Sequence, residues 1–150
     1  MNKKRDNDDF TWYFLFKKTS KMHAPIKIVM AKIISYCGLL CQSCPIYLAA
    51  RETNELKKQE LVSEIILACK EIYGIEYKYE DINACDGCTA DTGRLFIGCN
   101  NCKVRKCAVQ KGVENCAHCD EYVCNDLAEL FKSEPASKER LDTIRNSFIN

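Results

Sequence analysis

Residues 37–45 read "CGLLCQSCP", three cysteines at C-x3-C-x2-C spacing closed by a proline, in a chain of 150 residues that holds twelve cysteines. Cysteine spacing constrains this chain more than any other feature. A C-x2-C turn lets two thiolates converge on one ion at bonds of about 2.3 Å, and two such turns complete a tetrahedral four-cysteine site. One pair could equally be a redox dithiol; several close together point to metal.

Eleven of the twelve cysteines are clustered. They form three triplets, Cys37/Cys41/Cys44, Cys99/Cys102/Cys107 and Cys116/Cys119/Cys124, and one pair, Cys85/Cys88 in "CDGC". The second and third triplets are an internal repeat, C-x2-C-x4-C offset by 17 residues, with a short helix-like segment expected after each third cysteine. Two copies of 17 residues do not make a solenoid. Eleven does not divide by four, so some thiols stand outside four-cysteine sites or another ligand completes one. Cys69 lies on an apolar helix face and reads as a buried structural thiol. His118, squeezed between Cys116 and Cys119, reads as a surface or supporting group rather than a ligand. Cys37 is the sharpest question, because a third thiol left open would favour chemistry and a closed one structure.

Compartment is the first fork. An even count of cysteines means disulfides in a secreted chain and metal in a reducing cytosol. The apolar run "FTWYFLF" at 10–16 follows the mixed-charge block "KKRDNDD" and precedes "KK", which is not the pattern of a signal peptide. Seven apolar residues are also far short of the ~18 a membrane span needs. A cytoplasmic protein is therefore expected. Residues 1–29 differ from the rest and are read as an extension, either a non-native start before "MAKIISYCGLLC" or an edge strand at 10–16; residues 30–150 are read as one domain.

The formal charge of +1 hides an asymmetry: residues 1–29 carry +4 and residues 30–150 carry −3. Each four-thiolate site with a divalent ion adds about −2. Such a body is poorly suited to phosphate binding, so nucleic acid is not the expected partner. Lys103, Arg105, Lys106 and Lys111 are read as offsetting local thiolate charge.

Helical patterns surround the cysteines. Pro45 suits the first position of a helix and places Cys44 at the N-cap, where free N–H groups favour a thiolate. Residues 55–74 put Leu61, Val62, Ile65, Cys69, Ile72 and Tyr73 on one face, with Gly74 as the closing residue. Residues 85–124 show no long period and read as a loop-rich cysteine lobe lacking a large apolar core of its own. "CNDLAELFK" reads as a helix with Leu127, Leu130 and Phe131 inward. Residues 133–150 read as another, capped by Ser133 or Glu134, with Leu141, Ile144 and Phe148 on one face.

The order "YCGLLCQSCPIYLA", "CDGC" and "CNNCKVRKCAVQKGVENCAHCDEYVCNDL" resembles the cysteine-rich family known as domain of unknown function 3795, over roughly residues 33–131. The resemblance implies the eleven clustered cysteines as the shared feature and zinc as their ion. It supplies no catalytic residue and no substrate. Val123 stands where the related pattern often has proline, which bears on the turn rather than on a ligand.

Zinc suits all-thiolate sites without redox demands, and the same thiolates could hold an iron–sulfur cluster instead. C-x3-C-x2-C is also the cluster motif of radical S-adenosylmethionine enzymes, but about 100 residues after it cannot supply their large barrel. No nucleophile elbow, phosphate loop or dinucleotide fingerprint is present. Asp86 and Asp91 read as turn formers rather than acid/base groups. The expectation is a small α-rich, metal-organised domain with little strand and no assigned catalysis. Its helices pack against a multi-cysteine lobe whose metal ligands are Cys37, Cys41, Cys44, Cys85, Cys88, Cys99, Cys102, Cys107, Cys116, Cys119 and Cys124. It would act as a binding or adaptor module for a protein partner, with an iron–sulfur electron carrier or redox sensor as the alternative and thiol–disulfide chemistry as a third reading.

Overall fold

The computed structural model describes residues 33–149 apart from residues 83 and 92. The expectations for residues 1–29 lie outside the described residues. Seven helices follow one another: α1 (Pro45–Arg51), α2 (Glu55–Tyr73), α3 (Tyr79–Ile82), α4 (Ile97–Asn101), α5 (Lys103–Lys111), α6 (Asn125–Ser133) and α7 (Pro135–Ile149). Short 3-10 turns at Cys41–Ser43 and Cys116–His118 carry two of the C-x2-C pairs. The described residues form no strand beyond one antiparallel bridge between Ile34 and Leu40, which pinches the loop holding Cys37.

Local chemistry sets the ends of these helices. Pro45 opens α1 from an extended Cys44, which satisfies the fixed φ of the proline ring. Asn54 caps α2 by accepting the Lys57 N–H, and Gly74 closes it at φ 66°, the left-handed region where a side chain would be strained. Helix α7 begins at Pro135, directly after Glu134, the second of the two expected capping positions; Ser133 belongs to the last turn of α6 and gives its hydroxyl to the Leu130 carbonyl.

Packing divides into two cores. In the first, Val62, Ile65 and Cys69 of α2 meet Ile46 and Ala49 of α1, Ile82 of α3, and the side chains of Cys85 and Phe96. Leu61 and Tyr73 border this core, but Ile72 is 52% exposed, so the buried stripe is narrower than the sequence suggests. In the second core, Leu127 and Phe131 of α6 and Leu141 of α7 close over Val104 and Ala108 of α5, together with Cys37, Cys116 and Ala117.

The cysteine region is accordingly less loop-like than expected. It supplies α4, α5 and a substantial share of the second core. The reason is that "VRKCAVQ" buries only two narrow positions, Val104 and Ala108, too few for a periodic signature. The sequence repeat is also not a structural repeat. Cys107 lies inside α5, whereas its counterpart Cys124 is the N-cap of α6.

Candidate metal centre

Three of the four knuckles share one local geometry, in which the second cysteine donates its backbone N–H to the carbonyl of the first. The distances are 2.9 Å for Cys44 to Cys41, 3.3 Å for Cys102 to Cys99 and 3.2 Å for Cys119 to Cys116. This tight turn brings two thiols to the same side. In the fourth knuckle the loop after Cys85 is closed differently: Asp86 donates its N–H to the Arg94 carbonyl at 2.7 Å and accepts the Arg94 N–H on its carboxylate at 2.7 Å. The Arg94 guanidinium completes the pair at 3.1 Å and holds the Asp86 carboxyl below the usual range. Asp86 is thus a loop tie.

Tertiary packing sorts ten of the eleven clustered thiols into two neighbourhoods, with Cys37 between them. The inner one holds Cys41, Cys44, Cys85, Cys88, Cys99 and Cys102. The Cys88 N–H points at the Cys41 sulfur, 3.4 Å away. Burial raises the Cys44 thiol to about 11, with Cys85 and Cys41 adding to the effect. Burial lifts Cys88 to about 12, with Cys37, Cys41 and Cys102 reinforcing it. Burial drives Cys99 up further, helped by Cys88, Cys85, Cys44 and Cys102. Each thiol makes its neighbours harder to ionise, because several anions in a low-dielectric interior repel one another.

The expectation that the N-cap position favours a Cys44 thiolate is corrected here. The N–H groups of Ile46 and Tyr47 do lower its pKa, but burial costs more and the net shift is upward.

The outer neighbourhood holds Cys107, Cys116, Cys119 and Cys124. These four thiols line one cavity of about 120 Å³, open on one side, with Lys111 and Glu121 also on its wall. Cys107 is exposed, Cys119 and Cys124 are half-buried and Cys116 is buried. Burial raises Cys116 to about 12, with Cys37, Cys124, Cys119 and Cys107 contributing. Lys111 pairs with Glu121 at 2.8 Å, and Cys119 and Cys107 also help keep it protonated.

Cys37 stands between the two neighbourhoods. It is buried, its sulfur lies 3.1 Å from the Ser35 hydroxyl, and it acts on Cys88 on one side and on Cys116 on the other. Cys69 is fully buried in the first core, where desolvation by burial is what lifts it to about 11. His118 is engaged by other partners: its Nδ1 lies 3.2 Å from Asn115 Oδ1 and its ring stacks on Phe148 at 4.7 Å.

All twelve cysteines are free thiols. Among the described residues, no three His, Cys, Asp or Glu side chains converge tightly enough to hold an ion as they stand. The fold therefore provides proximity rather than finished coordination. The outer four fit a thiophilic ion by donor type and number, since four cysteines border a single cavity.

Four arginines brace the cysteine-bearing segments, and only Arg105 among them lies in the basic cluster expected to offset thiolate charge. Arg51 donates to the Cys85 carbonyl at 2.7 Å and Arg105 to the Cys88 carbonyl at 3.0 Å. Arg140 donates to the Gly38 carbonyl at 2.9 Å. Arg145 donates to the carbonyls of both Ala117 and Cys119, at 2.8 and 2.9 Å. Each places a permanent cation on a backbone carbonyl of a cysteine-bearing segment and restrains that backbone. Of the basic cluster around α5, Arg105 and Lys111 are the members this geometry ties to the thiol groups.

Residues 33–129 match the family model described as a protein of unknown function, DUF3795. The chain belongs to this family. No curated protein and no solved structure matches it. The match takes in every clustered cysteine of the DUF3795 chain together with Arg51 and Arg105, and it ends inside α6, before α7. No helix among the described residues is long and apolar enough to cross a membrane.

Proposed function

We propose that this protein is a metal-binding module in which zinc is held structurally by the clustered cysteines. The observation that carries the reading is the outer group: Cys107 from α5, Cys116 from a 3-10 turn, Cys119 beyond that turn and Cys124 at the start of α6 border one cavity. Four thiols delivered by separate elements to one space are the donor set of a closed zinc site. The inner group, with Cys37 at its edge, supplies the remaining seven thiols. Zinc bound there would cross-link the segments that carry these cysteines, a contribution of about 10–16 kcal/mol apparent in small peptides. The burial of Cys37 favours a structural role over an open reactive position.

The reading extends to a reducing cytoplasm, where free thiols persist, and to a protein partner rather than a substrate. Metal analysis of natively expressed protein purified without oxygen is the test. Colourless protein with two or more zinc per chain is expected, since eleven thiolates fill two sites of four and leave three over. Brown protein containing iron and sulfide would transfer the sites to an electron carrier or redox sensor. Protein with no bound metal and with C-x2-C disulfides in the cell would sink the metal reading altogether.

A further inference from the structure

Helix α7 lies beyond the residues matched by the family, yet one of its faces is applied to the outer thiol group. Leu141, Asp142, Arg145 and Phe148 follow one another at helical spacing, and each meets the segment that carries Cys116, Cys119 and Cys124 or the core beneath it. Leu141 is fully buried in the second core. Asp142 accepts the Tyr122 hydroxyl at 2.5 Å, and Phe148 stacks on His118. Arg145 does more than pack. Its Nη1 donates to the carbonyls of Ala117 and Cys119, and its guanidinium lies 5.2 Å from the centre of the Tyr122 ring.

Those two carbonyls lie within the turn that joins Cys116 to Cys119 and at its closing residue. A cation bonded to both carbonyls restrains their rotation, and it comes from a residue 26 positions beyond Cys119.

We propose that Arg145 is a positioning residue for the outer thiol group: by clamping the carbonyls of Ala117 and Cys119 it presents Cys116 and Cys119 to the cavity and so governs how tightly that group, and not the inner one, retains an ion. The proposal rests on reading the outer group as a metal site. Supporting partners of metal ligands typically change metal affinity about 10–100-fold when removed, and that is the size of effect expected.

The test uses the full chain and Co²⁺, whose thiolate charge-transfer bands report binding. Metal-stripped, reduced wild-type protein, R145M, R145K, and R51M are titrated, and iodoacetamide labelling of each cysteine is timed by peptide mass spectrometry in the absence of metal. R51M removes the corresponding clamp on Cys85. R145M is expected to weaken one class of Co²⁺ binding about 10–100-fold, to leave the other class unchanged, and to speed labelling at Cys116 and Cys119 while Cys41 and Cys44 keep their rates. R145K is expected to recover most of the affinity, because both bonds come from one nitrogen and an ammonium offers several donors. R51M is expected to spare the class that R145M weakens.

Wild-type affinity and labelling in R145M would overturn the proposal, and so would equal weakening of both classes, which marks a general loss of stability. If R145M fails to fold, R145Q carries the same expectations with a shorter side chain that falls short of both carbonyls. If wild-type protein binds no Co²⁺ while R145M still labels faster at Cys116 and Cys119, the positioning role holds and the metal reading of the site falls.

Discussion

Replacing Gly38 by alanine should be the most damaging small change in the "CGLLC" loop. Gly38 has φ 90°, in the left-handed region, and a Cβ built there would lie 2.5 Å from the Ser137 carbonyl oxygen and 2.9 Å from Leu141 Cγ. The oxygen belongs to the backbone of α7, so it cannot rotate aside as a side chain would. Nor can the loop retreat freely. The Gly38 N–H is bonded to the Ser35 carbonyl at 3.0 Å, its own carbonyl accepts from Arg140 at 2.9 Å, and Ser35 bonds across to Leu39 at 2.8 Å.

Three contributions set the size of the effect. A left-handed conformation costs an L-residue about 1–2 kcal/mol. Forcing a methyl group into an occupied space costs about 1–3 kcal/mol. The reduced freedom of the unfolded chain returns about 0.4–1 kcal/mol. The expected net loss for G38A is therefore about 1–5 kcal/mol, centred on about 3 kcal/mol, a large part of the about 5–15 kcal/mol that a small domain has.

Gly74 isolates the packing contribution. It has φ 66° with nothing within 4 Å of a built Cβ, so G74A should lose only about 1 kcal/mol. Urea denaturation of the reduced proteins at matched metal content gives both values from midpoints at constant slope. Equal destabilisation of G38A and G74A would refute the claim that α7 is seated directly on the cysteine loop.

Two further outcomes follow from the burial pattern. C69A should bind as much zinc as wild type, with a stability loss of about 1 kcal/mol, because Cys69 fills space in the first core rather than a ligand position; reduced metal content measured by elemental analysis would show that Cys69 is a ligand. Metal-stripped protein should lose stability in alkali: burial raises Cys69 from 9.0 to about 11, and burial followed by the nearby Cys69 raises Tyr77 from 10.0 to about 12. Since both folded values lie above the unfolded ones, this contribution is complete below pH 9 and is lost as pH climbs through 11 to 12. The difference in tyrosinate absorbance between wild type and Y77F, followed with pH, should accordingly titrate above 10, and an ordinary midpoint would contradict the burial.

Much of the local structure was legible in the residues themselves. Pro45 at the start of α1, Gly74 at the end of α2 and the inward face of α6 all act over a few positions, where spacing and backbone preference decide the outcome. The C-x2-C turns belong to the same class. The legibility ended where distant segments meet. Cys107 and Cys124 occupy equivalent places in the repeat, but one sits within α5 and the other caps α6, because neighbouring packing outweighs a matching cysteine spacing. Cys44 shows a similar conflict: the N-cap favours its thiolate, and the burial brought by the rest of the fold outweighs that preference.

By itself the sequence determined that this chain is helical, rich in clustered thiols and a member of the DUF3795 family. Those properties reside in composition, short periods and fixed cysteine intervals. Only the tertiary structure decided that Cys107, Cys116, Cys119 and Cys124 share a cavity, that Cys37 is buried between two thiol groups, and that Arg51, Arg105, Arg140 and Arg145 hold the knuckle carbonyls. Two of those arginine bonds span 34 and 102 residues. A guanidinium on a flexible stem has no sequence pattern that announces its acceptor, and its partner is fixed only once the helices have packed.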